Sequence, residues 1–358
     1  MPSTLTRRRF AHALAAGAAA MSIPVVHAAQ PAGGKIKLGQ IGVGHAHANK
    51  LGVYRKSPDY EVVGVVEPDA RLREAAKDQP AFRDVRWMTE ERLLNVPGLR
   101  VVTVETHVRD LLATAQRCID AGKHVLLDKP AGDSLPRYRA LLAAAEKQKL
   151  LVQMGYMFRY SPAVVLMRKF LQEGWLGEIF EVHTVMSKVV PPAQRRELAE
   201  FRGGIMFELG CHVIDLVIGV LGKPERVQPF PRTSGAHGDA LADNMLAVLE
   251  YPKATATVKS AALEVDGGSR RHFVTCGSGG TFHIQPLDAP NVRLTLDRDR
   301  GEYKKGTQEV PFGNYERYVG DAADMARILR GEKQCEFSYA HDLAVQETVL
   351  LASGMPTA

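Results

Sequence analysis

A strand that runs directly into a glycine turn and a helix is the feature that most restricts the fold of this chain. Residues 35–41 alternate apolar and polar side chains, lead into Gly42-Val43-Gly44, and are followed by a helix-compatible segment to Tyr54. In this context the first glycine permits a tight turn, and the second lets a pyrophosphate approach the unpaired N–H groups of a helix N-terminus. The pattern predicts a Rossmann nucleotide-binding fold, with the glycine turn and His45 beside the nucleotide.

The carboxylate after the second predicted strand bears on the choice of nucleotide. This strand, residues 60–66, ends at Glu67. A carboxylate at that point can accept hydrogen bonds from the adenosine ribose hydroxyls and repels a 2′-phosphate, which favours NAD over NADP. The alternative interpretation is a solvated loop carboxylate.

Strands and helices continue to alternate up to Lys129. Residues 100–104 read as a strand, residues 110–121 as a helix, and residues 124–127 as a further strand that ends in Asp128-Lys129-Pro130. Such alternation indicates a parallel sheet, which binds ligands at the carboxyl ends of its strands. Lys129 stands at such an end, so it is a candidate site residue; a solvated surface lysine is the alternative.

A stripe of ionisable residues lies on an otherwise apolar helix predicted at residues 207–221. Glu208, His212 and Asp215 stand at i, i+4 and i+7, on one helical face. Burying such groups is costly unless they are paired or face a wet cavity, so the stripe indicates either a site or a buried histidine with a carboxylate partner. Zinc could use these groups or the His45-x-His47 pair, but His-Glu-x-x-His and cysteine clusters are absent from the sequence, and we expect no metal.

The N-terminus reads as an export signal. Arg7-Arg8-Arg9-Phe10 is followed by a weakly apolar, alanine-rich stretch to Pro24 and by small residues around residue 28. Paired arginines in this context predict a cleavable twin-arginine signal over residues 1–28 and a periplasmic or secreted protein. The apolar stretch is interrupted and shorter than the ~20 residues of a spanning helix, so we expect no membrane anchor.

The net charge does not support nucleic-acid binding. The chain carries 46 Lys+Arg and 40 Asp+Glu, a formal charge of +6. Setting aside the three arginines of residues 1–28 leaves 43 − 40 = +3, with no remaining basic run. The four cysteines form no Cys-x-x-Cys pair, and we expect free thiols.

Four stretches, in this order, resemble the glucose–fructose oxidoreductase/inositol dehydrogenase/MocA family. They are the glycine turn, Ala121-Gly122-Lys123-His124-Val125 leading to Asp128-Lys129-Pro130, residues 154–160 and residues 203–215. The resemblance implies an α/β fold, with an N-terminal Rossmann domain (residues 34–152) built on a parallel sheet. It further implies a C-terminal α/β domain (residues 153–358) with a large, mostly antiparallel open sheet that binds substrate and forms a homo-oligomer, a dimer or tetramer. Helices predicted at residues 315–330 and 341–352 close this domain and are candidates to pack back on the first.

The resemblance also assigns roles to the site residues. It implies NAD(P)-dependent oxidation or reduction of a sugar, cyclitol or related polyol, with Lys129 beside the nicotinamide and the reacting oxygen. Glu208 and His212 match an Asp-x-x-x-His pair of the family. His212 would then accept the hydroxyl proton, while Glu208 would orient His212 or bind a substrate hydroxyl. The further expected substrate residues, for which packing roles are the alternative, are Tyr156, Arg159 and Asp215.

Three departures from the family pattern affect the site. His47 replaces the usual small third residue of the glycine motif, and Glu208 is longer than the usual Asp. Where family members often carry a Thr-Pro-Asn loop, this sequence reads Thr106-His107-Val108, and Thr106 is among the residues expected to bind the cofactor.

Three functions fit these residues. The first is an exported sugar, glycoside or cyclitol dehydrogenase that uses NAD. The second keeps the same site but recycles a tightly bound cofactor, either between two sugars or during oxidation-assisted glycoside cleavage. The third is a catalytically silent sugar-binding or sensing protein, against which the retention of Lys129 and His212 argues.

Overall fold

The first half of the chain forms a five-stranded parallel sheet. The computed structural model describes residues 34–358, so the predicted signal at residues 1–28 lies outside the described residues. The strands lie in the order β2-β1-β3-β4-β5, all parallel. Their bounds are β1 (Ile36–Ile41), β2 (Tyr60–Val66), β3 (Leu99–Val104), β4 (His124–Leu127) and β5 (Val152–Met154).

Helices connect these strands, and their starts are set by local capping. Asp69 accepts hydrogen bonds from the first peptide N–H groups of one helix, and Thr89 and Ser134 do the same for two others. A 3₁₀ turn at Ala48–Lys50 precedes the first helix. The helices are α1 (Leu51–Lys56), α2 (Ala70–Lys77), α3 (Glu90–Leu94), α4 (Val108–Asp120) and α5 (Leu135–Lys147).

The second half forms an eight-stranded sheet in the order β13-β12-β11-β10-β6-β9-β8-β7. Every neighbouring pair is antiparallel except β6 and β9, which run parallel. Alternate residues of its strands are buried, so one face packs on the core. The predicted fold class is confirmed. The strands are β6 (Ile179–Val185), β7 (Arg226–Phe230), β8 (Asn244–Glu250), β9 (Thr255–Ala261), β10 (His272–Gly277), β11 (Gly280–Ile284), β12 (Asn291–Leu296) and β13 (Gly306–Pro311).

The helix predicted at residues 207–221 is two segments in the structure. A π-helical turn, Met206–Gly210, precedes a regular α-helix that begins at Cys211. The last long helices begin at Val319 and Tyr339; the first starts later than predicted because Tyr318 has a left-handed φ of 68°. The helices are α6 (Pro162–Gln172), α7 (Pro192–Leu198), α8 (Cys211–Leu221), α9 (Gly267–Arg270), α10 (Val319–Arg330) and α11 (Tyr339–Ala352).

The two closing helices tie the halves of the chain together. Ala322 and Met325 of α10 share an apolar cluster with Tyr54 and Tyr60, and Tyr60 Oη donates to the carbonyl oxygen of Ala322 at 2.7 Å. From α11, the Gln346 side chain accepts from the N–H of Ala131 and donates to the carbonyl oxygen of Gly132. Helix α10 therefore packs back on the first sheet.

Two further observations concern the helices and the cysteines of residues 34–358. None of the helices described there is long and apolar enough to cross a membrane. All four cysteines, Cys118, Cys211, Cys276 and Cys335, are free thiols.

The glycine turn brings the ends of β1 and β3 into close contact. Gly42 has a φ of 94°, and a Cβ on it would lie 2.5 Å from the peptide nitrogen of Thr106. A Cβ on Gly44 would lie 2.9 Å from Nε2 of His107. The turn therefore has no room for a side chain at either glycine, and its backbone is left open to a ligand.

We expect Gly42→Ala to lower the free energy of unfolding by about 2 kcal/mol or more, because it combines a left-handed backbone with a contact to backbone atoms. Urea denaturation measures this change. The matched control is Gly219→Ala in α8, where a Cβ meets no atom within 4 Å. Since alanine favours a helix over glycine by up to ~1 kcal/mol, the control should be neutral or stabilising. Equal effects of the two variants would contradict the steric argument.

Candidate active site

Two cavities meet over the glycine turn, and both are lined by Gly44 and His107. The larger, of about 400 Å³, lies at the carboxyl ends of the first sheet. The smaller, of about 150 Å³, lies between the turn and the second domain. Since they share Gly44 and His107, the two cavities adjoin as one cleft, and the smaller side reaches Lys188 and Glu208 of the second domain.

Residues predicted to bind the cofactor converge on the larger cavity. Glu67 is buried and bridges two peptide N–H groups: Oε2 accepts from Val43 at 2.9 Å and Oε1 from Asp69 at 3.0 Å. Thr106 lines the same cavity. Arg73 also lines it and donates to the carbonyl oxygen of Glu67 at 3.0 Å, a cation that sequence reasoning missed.

The His45 ring turns into the protein rather than along the larger cavity. Its Nε2 lies 3.1 Å from the carbonyl oxygen of Lys129, and its Nδ1 lies 3.1 Å from the carboxylate of Asp128. His45 therefore links the glycine turn to the end of β4, and it also contributes to the wall of the smaller cavity.

Asp128 is the centre of a buried charge cluster that the sequence did not reveal. Its Oδ2 accepts from Lys50 Nζ at 2.9 Å, and its Oδ1 accepts from the N–H of Lys129 at 2.7 Å. Lys50 Nζ also pairs with Glu105 at 2.9 Å. Burial, reinforced by the charge of Asp128, raises the pKa of Glu105 well above its usual range. The position of Glu105 directly after β3 was the available sequence signal.

The arrangement of His45, His47 and Asp128 has the dimensions of a metal site, since their ligand atoms lie within 4.8 Å of one another. Burial lowers the pKa of His47 to about 4, which keeps this ring neutral. Both Asp128 oxygens already accept from Lys50 and from the Lys129 peptide, and these groups compete with any cation. The absence of a metal stays a prediction.

Lys129 reaches from the end of β4 to the π-helical turn of the second domain. Its Nζ donates to Glu208 Oε1 at 2.8 Å and to the Glu208 carbonyl oxygen at 3.0 Å. Burial is the largest effect on Lys129, which is 1% exposed, and it lowers the pKa; the neighbouring negative charges, Glu208 first, together outweigh burial and raise that pKa above its usual value. Lys129 is therefore a permanent cation, suited to polarising an oxygen rather than to accepting a proton.

His212 lies beside this pair and is 2% exposed. Its ring centroid is 5.6 Å from those of His47 and Phe158, and within residues 34–358 its Nδ1 has no hydrogen-bond partner. Burial first, and then the positive charge of Lys129, lower the pKa of His212 well below its usual value. The ring is a neutral base with a free nitrogen.

Glu208 contacts Lys129 and not His212, which differs from the orienting role expected for it. The π-helical turn explains the difference, because its wider backbone changes the side-chain directions between Glu208 and the regular turns of α8. Glu208 also lines the smaller cavity, whereas Lys129 lies behind it. A substrate oxygen that binds Lys129 must therefore share the ammonium with Glu208.

Arg159 and Asp215 form a buried ion pair rather than a rim of the cleft. Arg159 Nη2 donates to Asp215 at 2.6 Å and to Asp342 of α11 at 2.6 Å. Tyr156 is also buried, and the Arg159 guanidinium carbon lies 5.0 Å from its ring centroid. None of these residues lines either cavity; their position below His212 is that of a packing support.

Arg159→Met should lower the free energy of unfolding by about 3–5 kcal/mol, since it leaves Asp215 and Asp342 buried without their cation. Urea denaturation at neutral pH measures the loss. Arg139→Met, an exposed position on α5, is the matched control and should change stability by less than about 0.5 kcal/mol. A change in Arg159→Met as small as in the control would contradict the structural role.

Helix α7 and the turn that follows it attach the second domain to the first across the smaller cavity. Glu197 Oε1 lies 3.0 Å from His107 Nδ1, and Arg109 Nη1 donates to Glu200 Oε2 at 2.5 Å. A hydrogen bond to Glu197 raises the pKa of His107. We call these two contacts the α7 clasp; nothing in the spacing of the sequence indicated it.

A parallel nucleotide-binding sheet whose glycine turn faces a buried lysine and a neutral histidine defines a two-domain, nucleotide-dependent oxidoreductase. Comparison with known families agrees with this class. Residues 36–156 match the oxidoreductase family with an NAD-binding Rossmann fold, and residues 164–283 match the GFO/IDH/MocA C-terminal domain. The chain belongs to the GFO/IDH/MocA oxidoreductase family.

Curated relatives are named oxidoreductases. The uncharacterized oxidoreductase YhhX of Escherichia coli is 27% identical over 254 residues, 70% of this chain and 71% of its own length. The scyllo-inositol 2-dehydrogenase (NADP(+)) IolW of Bacillus subtilis is 24% identical over 277 residues, which cover 76% of this chain and 72% of its own length. The trans-1,2-dihydrobenzene-1,2-diol dehydrogenase of Bos taurus is 27% identical over 197 residues, which cover 54% of this chain and 57% of its own length. The protein is an oxidoreductase, as expected.

A solved structure of similar fold is a levoglucosan dehydrogenase in complex with NADH and levoglucosan. It matches with a TM-score of 0.75 at 16% identity, over 90% of this chain and 98% of that one. At this identity the likeness supports the fold.

Proposed function

We propose that the protein is an exported oxidoreductase that transfers hydride between NAD(P) and a hydroxyl or ketone of a sugar, glycoside or cyclitol. The observation that carries the proposal is the presence of two complementary groups in the same buried region. Lys129 is a cation held by Glu208, and His212 is a neutral ring whose Nδ1 has no partner in the described residues. The named activities of the relatives, on an inositol and on a dihydrodiol, support this substrate class.

The residues of the larger cavity fit a nicotinamide dinucleotide. The positive φ of Gly42 and the closeness of Thr106 leave the turn bare for a pyrophosphate, while Glu67 is fixed beside the turn. When bound, the cofactor supplies the hydride acceptor or donor. Gly42, Val43, Gly44, Glu67 and Thr106 would hold it.

Side chains of this chain then accept the substrate proton and stabilise the charge on the reacting oxygen. His212 accepts the hydroxyl proton during oxidation, because its imidazole is neutral and its Nδ1 is free. Lys129 donates a hydrogen bond to the oxygen as negative charge develops on it. Glu208 holds the Lys129 ammonium in place and, from the cavity wall, accepts a hydrogen bond from a neighbouring substrate hydroxyl.

We propose NAD as the preferred cofactor, since Glu67 places a carboxylate at the expected ribose end of the larger cavity. Arg73 in the same wall is the group that would favour a 2′-phosphate. Dissociation constants of NADH and NADPH, measured by fluorescence, decide between the two. Tighter binding of NADPH would refute the choice.

The α7 clasp favours a second candidate, in which the cofactor stays bound and is recycled, either between two sugars or during glycoside cleavage. The clasp spans the cleft and would slow cofactor exchange. Absorbance at the reduced-nicotinamide band, followed while sugars and glycosides are added to purified protein, distinguishes the candidates. Sustained turnover that needs added NAD indicates a dehydrogenase, and a spectral change limited to bound cofactor indicates recycling. No change with any substrate would favour a silent sugar-binding protein.

Export and assembly are further parts of the proposal. Residues 1–28 would direct the protein through the twin-arginine pathway to the periplasm or medium, and cell fractionation with an Arg7→Lys/Arg8→Lys variant tests this. A homodimer or homotetramer is supported by Phe180 and Phe230 of the second sheet, which are 50% and 40% exposed. Light scattering after gel filtration measures the mass.

A further inference from the structure

The smaller cavity contains one cation without a counter-ion. Three carboxylates line this cavity, and each already lies within ion-pair distance of a basic side chain. The pairs are Glu197 with His107, Glu200 with Arg109, and Glu208 with Lys129. Lys188 lines the same cavity, and over residues 34–358 its ammonium takes part in no ion pair or hydrogen bond. Each of these carboxylates already has a basic neighbour, so Lys188 is the group of this wall that is left free to bind a ligand.

The backbone presents Lys188 to the cavity from a fixed position just after β6. Its N–H donates to the carbonyl oxygen of Ala261 at 3.0 Å, and Val189 forms a bridge with Leu263. The preceding carbonyl, that of Ser187, accepts from Arg271 Nε at 3.0 Å. Lys188 is therefore held at the edge of the second sheet rather than on a free loop.

Within residues 34–358, this ammonium has charged neighbours but no partner at ion-pair distance. Burial lowers the pKa of Lys188; the nearby Glu208 carboxylate opposes this effect, and the charges of Lys129 and Arg271 reinforce it. An unpaired, half-buried cation is costly and is stabilised by an anionic ligand. In a cleft next to a reaction site, such a cation is a candidate for substrate recognition.

We infer that Lys188 binds a carboxylate of the substrate, so that the preferred substrate is a sugar acid, an aldonate or uronate, rather than a neutral sugar. This inference rests on the proposed function. One unpaired cation matches the single charge of a carboxylate and would leave a phosphate ester partly uncompensated. Gln194 of α7 lines the same cavity and offers an amide donor for the second carboxylate oxygen.

The test compares acids with their neutral counterparts on cofactor-loaded protein. Binding of D-galacturonate, D-glucuronate and D-gluconate is measured by isothermal titration calorimetry against D-galactose, D-glucose and sorbitol. We expect at least one acid to bind about 10-fold or more tightly than its neutral counterpart, the size of a charge-assisted hydrogen bond. Lys188→Gln should reduce this preference to near parity.

Two controls keep the result specific. Lys305→Gln replaces an exposed lysine just before β13 that does not line the smaller cavity, and it should leave the preference unchanged. NADH binding should be equal in wild type and Lys188→Gln; a loss in the variant would assign Lys188 to the cofactor and overturn the inference. Rescue of the preference by Lys188→Arg would support a charge contact.

The outcomes separate this inference from the proposed function. Turnover of neutral sugars with no preference for acids, or a preference that survives Lys188→Gln, refutes the carboxylate site and leaves the oxidoreductase proposal intact. Binding of an acid without any redox change supports the carboxylate site and refutes the proposed chemistry. Absence of binding by every acid in the panel also counts against the inference.

Discussion

Lys129→Ala is expected to reduce turnover about 1,000-fold, the typical loss when a donor to a developing oxyanion is removed. Lys129 Nζ is the cation held by Glu208, and alanine leaves the reacting oxygen without it. Steady-state kinetics with the substrate found in the absorbance screen measure the change. NADH binding should weaken far less, because the glycine turn and Glu67 are untouched.

Stability must be separated from chemistry in this variant. Removing Lys129 leaves the Glu208 carboxylate without its partner in a mostly buried position, so Lys129→Ala should also unfold at lower urea concentration. Lys129→Met/Glu208→Gln removes both charges and should recover stability while remaining inactive. Lys147→Ala, exposed on α5, is the matched surface control. Near-normal turnover in either Lys129 variant would refute the assigned role.

His212→Asn is expected to reduce turnover about 100- to 10,000-fold, the range for a general base. Asparagine keeps a polar side chain of similar reach but cannot accept the proton. The matched control is His237→Asn, an exposed histidine of the second domain, which should retain full activity. An active His212→Asn enzyme would show that another group accepts the proton.

The low pKa of His212 sets the expected pH dependence of oxidation. Oxidation needs the neutral ring, and burial together with the charge of Lys129 keeps the ring neutral as the pH falls. The rate should therefore pass through the region of an ordinary histidine pKa, about 6.5, without a loss and decline only at lower pH. A pH–rate profile of kcat from pH 4.5 to 8 measures this. A half-maximal rate near pH 6.5 would contradict the perturbed environment.

Local patterns were enough to predict the parallel first sheet and to nominate Lys129 and His212, whereas the antiparallel second sheet was expected from the family resemblance. The alternation of strands and helices and the turn at Gly42 predicted the parallel sheet, because both depend on side-chain periodicity and backbone sterics within a short segment. Lys129 was found by its place at the end of β4. The pairing of Glu208 with Lys129 was not predicted, because a helical wheel assumes regular turns and the chain inserts a π-helical turn at Met206–Gly210.

Arg159 and Asp215 show a second limit of sequence reasoning. Arginine and aspartate near a predicted cleft read as ligand contacts, but in the structure Arg159 pairs with Asp215 and with Asp342, which lies far along the chain on α11. Lys50 and Glu105 likewise became recognisable as a cluster around Asp128 only once three separate elements were brought together. Burial of charge is decided by neighbours that sequence spacing does not name.

The sequence by itself determined the strands and helices, the glycine turn, and the candidacy of Glu67, Lys129 and His212. These follow from periodicity, capping and backbone geometry, which act over a few residues. Only the tertiary structure decided which charges are paired: Lys129 with Glu208, Arg159 with Asp215, and Lys188 with no group in the described chain. The physical reason is that the protonation and availability of a buried group depend on distances of a few ångströms between distant segments, and folding alone sets those distances.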